Sequence, residues 1–303
     1  MRLRYLITGA DGQLGRCLQA HLTALNVDFI ALNSADLDIT LPMKVTAVLN
    51  QYAPDIVINA AGYNAVDAAE SNQAQAYAVN AQGPSYLAAW CEANNGWLVL
   101  VSSDYVFGGH IFGAGGISEF ERTLPYGESD IPAPLSVYGR SKLAGELAVT
   151  SCSRHLIVRT SWLFSEHGNN FVKTMLHLAS QSLPIKVVDD QVGCPTYTAD
   201  LAAALTMLAG LAKTGDAEAG VYHFAGHHSV SWFEFAQVVF AQAVDLGVLV
   251  QAPSLKAIST AEYPTAAKRP AYSTLDFSKI NALDIAPSDW QLGVRLSLLA
   301  MFP

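Results

Sequence analysis

The sequence predicts an α/β fold, a doubly wound parallel sheet with a smaller C-terminal lobe, and three observations carry that expectation. Short apolar runs alternate with helical patterns through the first half of the chain. Strands that are apolar throughout belong to a parallel sheet covered on both faces. A glycine-rich loop separates the first such run from the first helix, and after about residue 160 the alternation loosens without a linker or an internal repeat.

In order, residues 4–8 read as a strand, and the helix after it puts Leu14, Leu18, Leu22 and Leu25 on one face. Residues 28–32 form the second strand, 42–52 a helix and 55–59 the third strand, ending in Ala60-Ala61-Gly62. One long helical region is expected over 66–94, then a strand over 97–102, a helix over 138–150 and a strand over 156–160. Beyond these come helix 169–181, strand 185–189, an Ala-rich helix over 199–213, strand 220–225 and helix 231–247. The expected division gives residues 1–160, with a return of about 190–213, to the sheet domain. About 161–189 and 214–303 go to the smaller lobe.

Of 303 residues, 51% are hydrophobic and 14% charged, which excludes disorder. The net charge is −9 and no basic run occurs, so neither nucleic acid nor an anionic membrane is an expected partner. An anionic substrate would have to be held by a few local Arg or Lys residues. Cys17, Cys91, Cys152 and Cys194 are far apart with no CxxC pair, which predicts a reduced cytoplasmic protein without disulfides. The N-terminus enters a strand at once, leaving no room for a signal peptide. The longest apolar stretch, 201–212, is too short to span a bilayer. The histidines show no HExxH spacing, and no metal is expected.

Gly9-Ala10-Asp11-Gly12-Gln13-Leu14-Gly15 lies between the first strand and the first helix. Glycines there allow a tight turn and close approach to a pyrophosphate, and the helix N-terminus offers free N–H groups to its oxygens. This makes the first domain Rossmann-type, although the spacing is GxxGxxG. The second strand ends Leu32-Asn33-Ser34, with neither an acid for a ribose 2′-hydroxyl nor an Arg for a 2′-phosphate. Arg16 is the nearest cation to such a phosphate. Either Asp38-Ile39 frames an adenine or Asp38 simply caps a helix.

Tyr138 and Lys142 stand at i and i+4, on one helix face. A carbonyl reductase needs a proton donor at the carbonyl oxygen, and an ammonium beside a tyrosine favours the tyrosinate. Upstream, Ser102-Ser103-Asp104-Tyr105 follows the fourth strand, where an open α/β sheet presents ligand groups. Glycine loop, strand-end serine and Tyr/Lys helix, in this order, are specific together where each alone is not.

The chain resembles the dTDP-4-dehydrorhamnose reductase family (RmlD type), within the extended short-chain dehydrogenases/reductases. The blocks that carry this resemblance are TGADGQLG (8–15), LDIT (37–40), DIVINAAGYNAVDAAES (55–71), SSDYVFGG (102–109), YGRSKLAGE (138–146), VRTSWLF (158–164), NNFVKTML (169–176), DDQVGCPTYTADLA (189–202) and RPAYSTLD (269–276). The resemblance implies Tyr138 as general acid, Lys142 as partner to Tyr138 and the nicotinamide ribose, and Ser103 as hydrogen-bond donor to the carbonyl. It implies a cofactor site of Gly9, Gly12, Gln13, Leu14, Gly15, Asp38, Ile39, Ala60, Ala61 and Gly62, with Tyr138 and Lys142. NADPH is the expected cofactor and NADH the alternative. Ser103, Asp104, Tyr105, Trp162, Asn170 and Arg269 would face a dTDP-linked 4-keto-6-deoxysugar. Read structurally, Trp162 is core, Asn170 a helix cap and Arg269 a surface ion pair.

Two departures stand out. The stretch 108–123 is longer than in the family and rich in glycine, serving either as a lid or as a tolerated insertion. Some members dimerise through a metal held partly by an acid in the first helix. Cys17 occupies that position, so a metal-bridged dimer is not expected and a homodimer of another kind stays open. Among other activities, a dehydratase would carry Asp-Glu after the strand-end hydroxyl, whereas Tyr105 follows Asp104. Epimerisation remains an alternative. So does a non-catalytic role like that of the methionine adenosyltransferase regulatory subunit, which resembles the same group.

Overall fold

The computed structural model describes residues 3–108, 123–181 and 184–303. Most of the 108–123 insertion therefore lies outside the described residues.

β1 (Arg4–Thr8), α1 (Gln13–Ala24), β2 (Asp28–Leu32), α2 (Pro42–Tyr52) and β3 (Ile56–Asn59) follow one another as the apolar periodicity predicts. The helical region expected over 66–94 is instead broken into α3 (Val66–Ala69), α4 (Gln73–Tyr77), a π-turn over Ala78–Gln82 and α5 (Gly83–Asn94). The π-turn has a covalent cause. Pro84 has no N–H to offer the carbonyl of Asn80 four residues back, so the helix widens before it. The freed carbonyl packs so tightly on the next long helix that a Cβ at Gly145 would meet it at 2.0 Å.

After β4 (Trp97–Ser103) come α6 (Val137–Val149), β5 (His155–Thr160), β6 (Leu163–Phe164), α7 (Phe171–Ala179) and β7 (Ile185–Val188). They are followed by β8 (Val192–Gly193), β9 (Thr196–Tyr197), α8 (Thr198–Thr214) and β10 (Gly220–His223). The chain closes with β11 (Val230–Ser231), α9 (Trp232–Asp245), β12 (Leu255–Ile258), α10 (Ser278–Asn281) and α11 (Trp290–Met301).

The main sheet has six strands in the order β10-β5-β4-β3-β1-β2, all parallel. One face is covered by α1 and α8, where Leu14, Leu18 and Leu22 meet Leu201, Leu205 and Leu208. On the other face α2 and α5 contribute Val45, Leu49, Leu87 and Trp90. Residues 220–223, expected in the smaller lobe, instead pair with β5 at the edge of the main sheet. An apolar run announces a strand without saying which sheet will hydrogen-bond it. A separate core gathers Phe164, Phe235, Phe240, Trp290, Val294 and Leu298 from α9, α11 and the segments before them. The strand order reverses beside β1, and ligands of such sheets bind beyond the carboxyl ends of the strands.

Candidate active site

A cavity of about 510 Å³ opens at those carboxyl ends. Its wall includes Gly12, Gln13 and Leu14 after β1, Ala60, Ala61 and Gly62 after β3, and Ser103, Asp104 and Tyr105 after β4. Tyr138 and Lys142 of α6 face it, as do Trp162 and Trp232. Segments far apart in sequence thus meet around one space.

The glycine loop fits a phosphate. Gly9 has φ +67°, and a Cβ there would stand 2.7 Å from the Ala61 nitrogen. At Gly15 a Cβ would press to 2.2 Å against the Gly9 carbonyl. Loop, helix and β3 therefore close on one another only without side chains. Gly12 caps α1 with no side-chain hydrogen bond to the first turn, leaving the helix N-terminus open to an anion. Two buried polar atoms on the cavity wall, Asn59 Nδ2 and Thr160 Oγ1, also lack a partner. A cofactor rich in hydroxyls and phosphate oxygens matches such a wall.

Ser103 caps a short 3-10 turn, accepting from the Tyr105 N–H at 3.2 Å, and donates to Asp104 Oδ1 at 3.0 Å. Ser273 donates to the other oxygen, Asp104 Oδ2, at 2.7 Å. Burial drives the Asp104 carboxyl up to about 7 while these serine hydrogen bonds pull it back. Tyr105 packs edge-on against Tyr138, with ring centroids 5.7 Å apart. Burial pushes the Tyr138 phenol up to about 12, against a hydrogen bond to Ser103. A phenol so placed holds its proton at neutral pH.

Lys142 differs from expectation. It shares the helix face with Tyr138, but its Nζ donates to the Val101 carbonyl of β4 at 2.6 Å. Burial lowers its ammonium to about 8, with Glu146 opposing. The cation expected to act on Tyr138 is thus held on the sheet. Glu146 in turn takes a bidentate pair from Arg159, at 3.0 and 2.8 Å, and the Ser102 hydroxyl at 2.5 Å. Arg159 continues to His223 Nε2 at 3.3 Å. His223, lowered to about 3 by burial and by Arg159, is neutral there.

Other expected residues fall elsewhere. Asp38 Oδ1 accepts from the Thr40 N–H and hydroxyl, which lowers its pKa, and it shapes a turn off the cavity wall. Ile39 is core, packed where Gly83 leaves room. Arg16 is exposed and donates to the Asp11 carbonyl. Asn170 caps α7 and gives its Nδ2 to Gln13 Oε1 and to the Ser165 carbonyl. Its neighbour Asn169 lines the cavity instead. Arg269 pairs bidentately with Asp67, at 3.1 and 2.6 Å, and lines a second cavity of about 230 Å³ with Lys186 and Trp232.

Three further positions acquire partners that no short spacing in the sequence signals. Trp232 lies flat on Trp162, ring centroids 3.4 Å apart and planes within 6°. Ser273 completes the cradle of Asp104. Asn80, buried within the π-turn, holds the Tyr63 N–H and carbonyl and donates to Ser141 Oγ.

The family model for the RmlD substrate binding domain matches residues 2–301. This chain belongs to that family. It is 46% identical over 297 residues to the dTDP-4-dehydrorhamnose reductase of Aggregatibacter actinomycetemcomitans, covering 96% of this chain and 97% of that one. The Salmonella typhimurium enzyme of the same name is 36% identical, covering 99% and 98%. Among solved structures, the Bacillus anthracis dTDP-4-dehydrorhamnose reductase in complex with NADP superposes with TM-score 0.88 at 36% identity, covering 99% of this chain and 100% of that one. A UDP-glucose 4-epimerase from Thermus thermophilus, at 19% identity and TM-score 0.79, shares the fold. Among the described residues, no helix is long and apolar enough to cross a membrane.

Proposed function

We propose that this chain reduces the 4-keto group of dTDP-4-dehydrorhamnose to the alcohol with NADPH as cofactor. The observation that carries the reading is the meeting of an open helix N-terminus at Gly12 with Ser103, Tyr138 and Lys142 around one cavity. NADPH supplies the hydride that forms the new C–H bond at C4. Tyr138 gives its phenolic proton to the carbonyl oxygen, and Ser103 hydrogen-bonds that oxygen as negative charge builds there. In this reading Lys142 holds the nicotinamide ribose.

The smaller lobe takes the sugar nucleotide in this reading. Trp162 and Trp232 form an aromatic wall, and Arg269 with Lys186 provides the local cations that a diphosphate needs in an acidic chain. Arg16 lies at the loop end where a 2′-phosphate would approach. The reaction fits a cytoplasmic enzyme.

Elimination has no base here, since Asp104 is followed by Tyr105. The test is nicotinamide absorbance with a dTDP-4-keto-6-deoxyhexose, followed by NMR of the product. Stoichiometric NADPH oxidation with a C4 alcohol of rhamno configuration is expected. An epimerised ketone with NADPH unconsumed, or no turnover, would overturn the reading.

A further inference from the structure

Cys17 lies on the buried side of α1, and the turn between β6 and α7 brings Glu166 and His167 against it. One sulfur, one carboxylate oxygen and one imidazole nitrogen all lie within 4.8 Å of one another. His167 Nε2 and Glu166 Oε1 stand 3.3 Å apart. Two ligands each about 2.0 Å from a tetrahedral ion stand roughly 3.3 Å apart, so this edge already has a zinc-site dimension. A thiolate, an imidazole and a carboxylate are the donors that zinc accepts, and three protein ligands leave a fourth position for water.

We propose that Cys17, Glu166 and His167 form a binding site within one chain for a single zinc-class divalent cation. Access is on the side of Glu166 and His167, whose side chains are 23% and 31% exposed, while the sulfur lies beneath them. The surroundings already orient the donors. The Tyr197 hydroxyl reaches Glu166 Oε2 at 3.5 Å, Ser165 lies in hydrogen-bond contact with Cys17, and Asn170 Nδ2 holds the His167 carbonyl at 3.2 Å. Such outer contacts fix ligand geometry in metal sites. On binding, the Cys17 S–H bond breaks, its proton leaves to solvent and the sulfur lone pair goes to the cation, with no change of oxidation state.

The consequence is mechanical. α1 begins at the glycine loop, and the turn carrying Glu166 and His167 continues into Gly168 and Asn169, which line the active-site cavity. Gln13 already links the two, accepting from Ser165 Oγ and Asn170 Nδ2. A bound cation would clamp the phosphate-loop helix to the opposite wall. The site does not depend on which carbonyl the enzyme reduces.

The test uses the full chain, stripped of metal by a chelator and titrated with Co²⁺, which takes the same donors and absorbs visibly. One equivalent should produce a thiolate-to-cobalt charge-transfer band, displaced on adding Zn²⁺. Cys17→Ala should abolish the band, and His167→Gln, on a half-exposed turn that leaves the core intact, should weaken binding at least about ten-fold. Metal should raise Tm in the wild type and not in Cys17→Ala. No band at one equivalent, a band that survives Cys17→Ala, or unchanged affinity in His167→Gln would each overturn the proposal.

Discussion

Lys142 and Val101 are joined by a 2.6 Å hydrogen bond from ammonium to strand carbonyl. That bond fixes the lysine to the sheet at the rim of the cavity, and it leaves Tyr138 to be tuned by burial and by Ser103. The two residues of one helix face thus have separable roles, which sets the first two predictions.

Tyr138→Phe should lower kcat roughly 10²- to 10⁴-fold, the usual worth of a general acid, with NADPH affinity little changed. Steady-state turnover and a fluorescence titration of the cofactor measure the two quantities. Turnover at the wild-type level would remove the phenol from the reaction.

Lys142 loses its proton near pH 8 in the cofactor-free protein because burial disfavours the ammonium. NADPH affinity should therefore fall as pH rises through about 8 in the wild type. Lys142→Met should bind NADPH weakly, with no step in that range. For stability the sign runs the other way. Between about 8 and 10.5 the unfolded chain keeps a proton that the folded chain has lost, so this group favours folding more as pH rises.

Asp104 gives a second pH signature. Its folded carboxyl titrates near 7 against an ordinary 3.8, so the folded protein holds the extra proton across that window. Stability from this group is greatest below about 4 and falls as pH rises to about 7. Asp104→Asn, still able to bond both serines, should raise Tm by a few degrees at pH 8 and by much less at pH 4. Equal shifts at both pH values would show that the carboxyl is ionised throughout.

Trp232→Ala removes one face of a stacked indole pair, worth about 0.5–1.5 kcal/mol beyond its buried area. KM for the sugar nucleotide should rise roughly ten-fold by opening the aromatic wall, with cofactor affinity unchanged. An equal loss in NADPH binding would place the stack on the cofactor side instead.

Asn80→Ala leaves the Tyr63 N–H and carbonyl without their side-chain partner and removes the donor to Ser141 Oγ, which keeps its own bond to the Tyr138 carbonyl, at a cost of about 1–3 kcal/mol. Urea unfolding should show that loss. Lys142, which follows Ser141 on the same helix, should bind NADPH less well in this variant.

What the sequence reveals about the site is what short spacing encodes. Gly9 to Gly15 is a local backbone device, and the step from Tyr138 to Lys142 is one helical turn, so both are readable from a few residues. Trp232, Ser273 and Asn80 acquire meaning only from partners brought up by folding. Trp232 matters through Trp162, Ser273 through Asp104, and Asn80 through the π-turn that Pro84 forces. Asn170 shows the opposite case, a residue whose family block suggests a ligand contact while its cap hydrogen bond engages it locally. Membership of the main sheet was legible for β1 to β5, because helical segments separate these apolar runs. That of β10 was not, since a short apolar run fits either lobe.

The position of β10 bears on how the chain is made. Synthesis delivers β1 to β5 first, and the outer edge of β5 then carries unpaired backbone groups until Gly220–His223 emerges from the ribosome. During that interval the nascent chain offers an apolar strand with unmet hydrogen bonds to any neighbour, including another nascent copy. Slowing translation between residues 160 and 223 should thus lengthen the time for which the polypeptide depends on chaperones. A truncation before residue 220 should aggregate even though the Tyr/Lys helix and the glycine loop are complete.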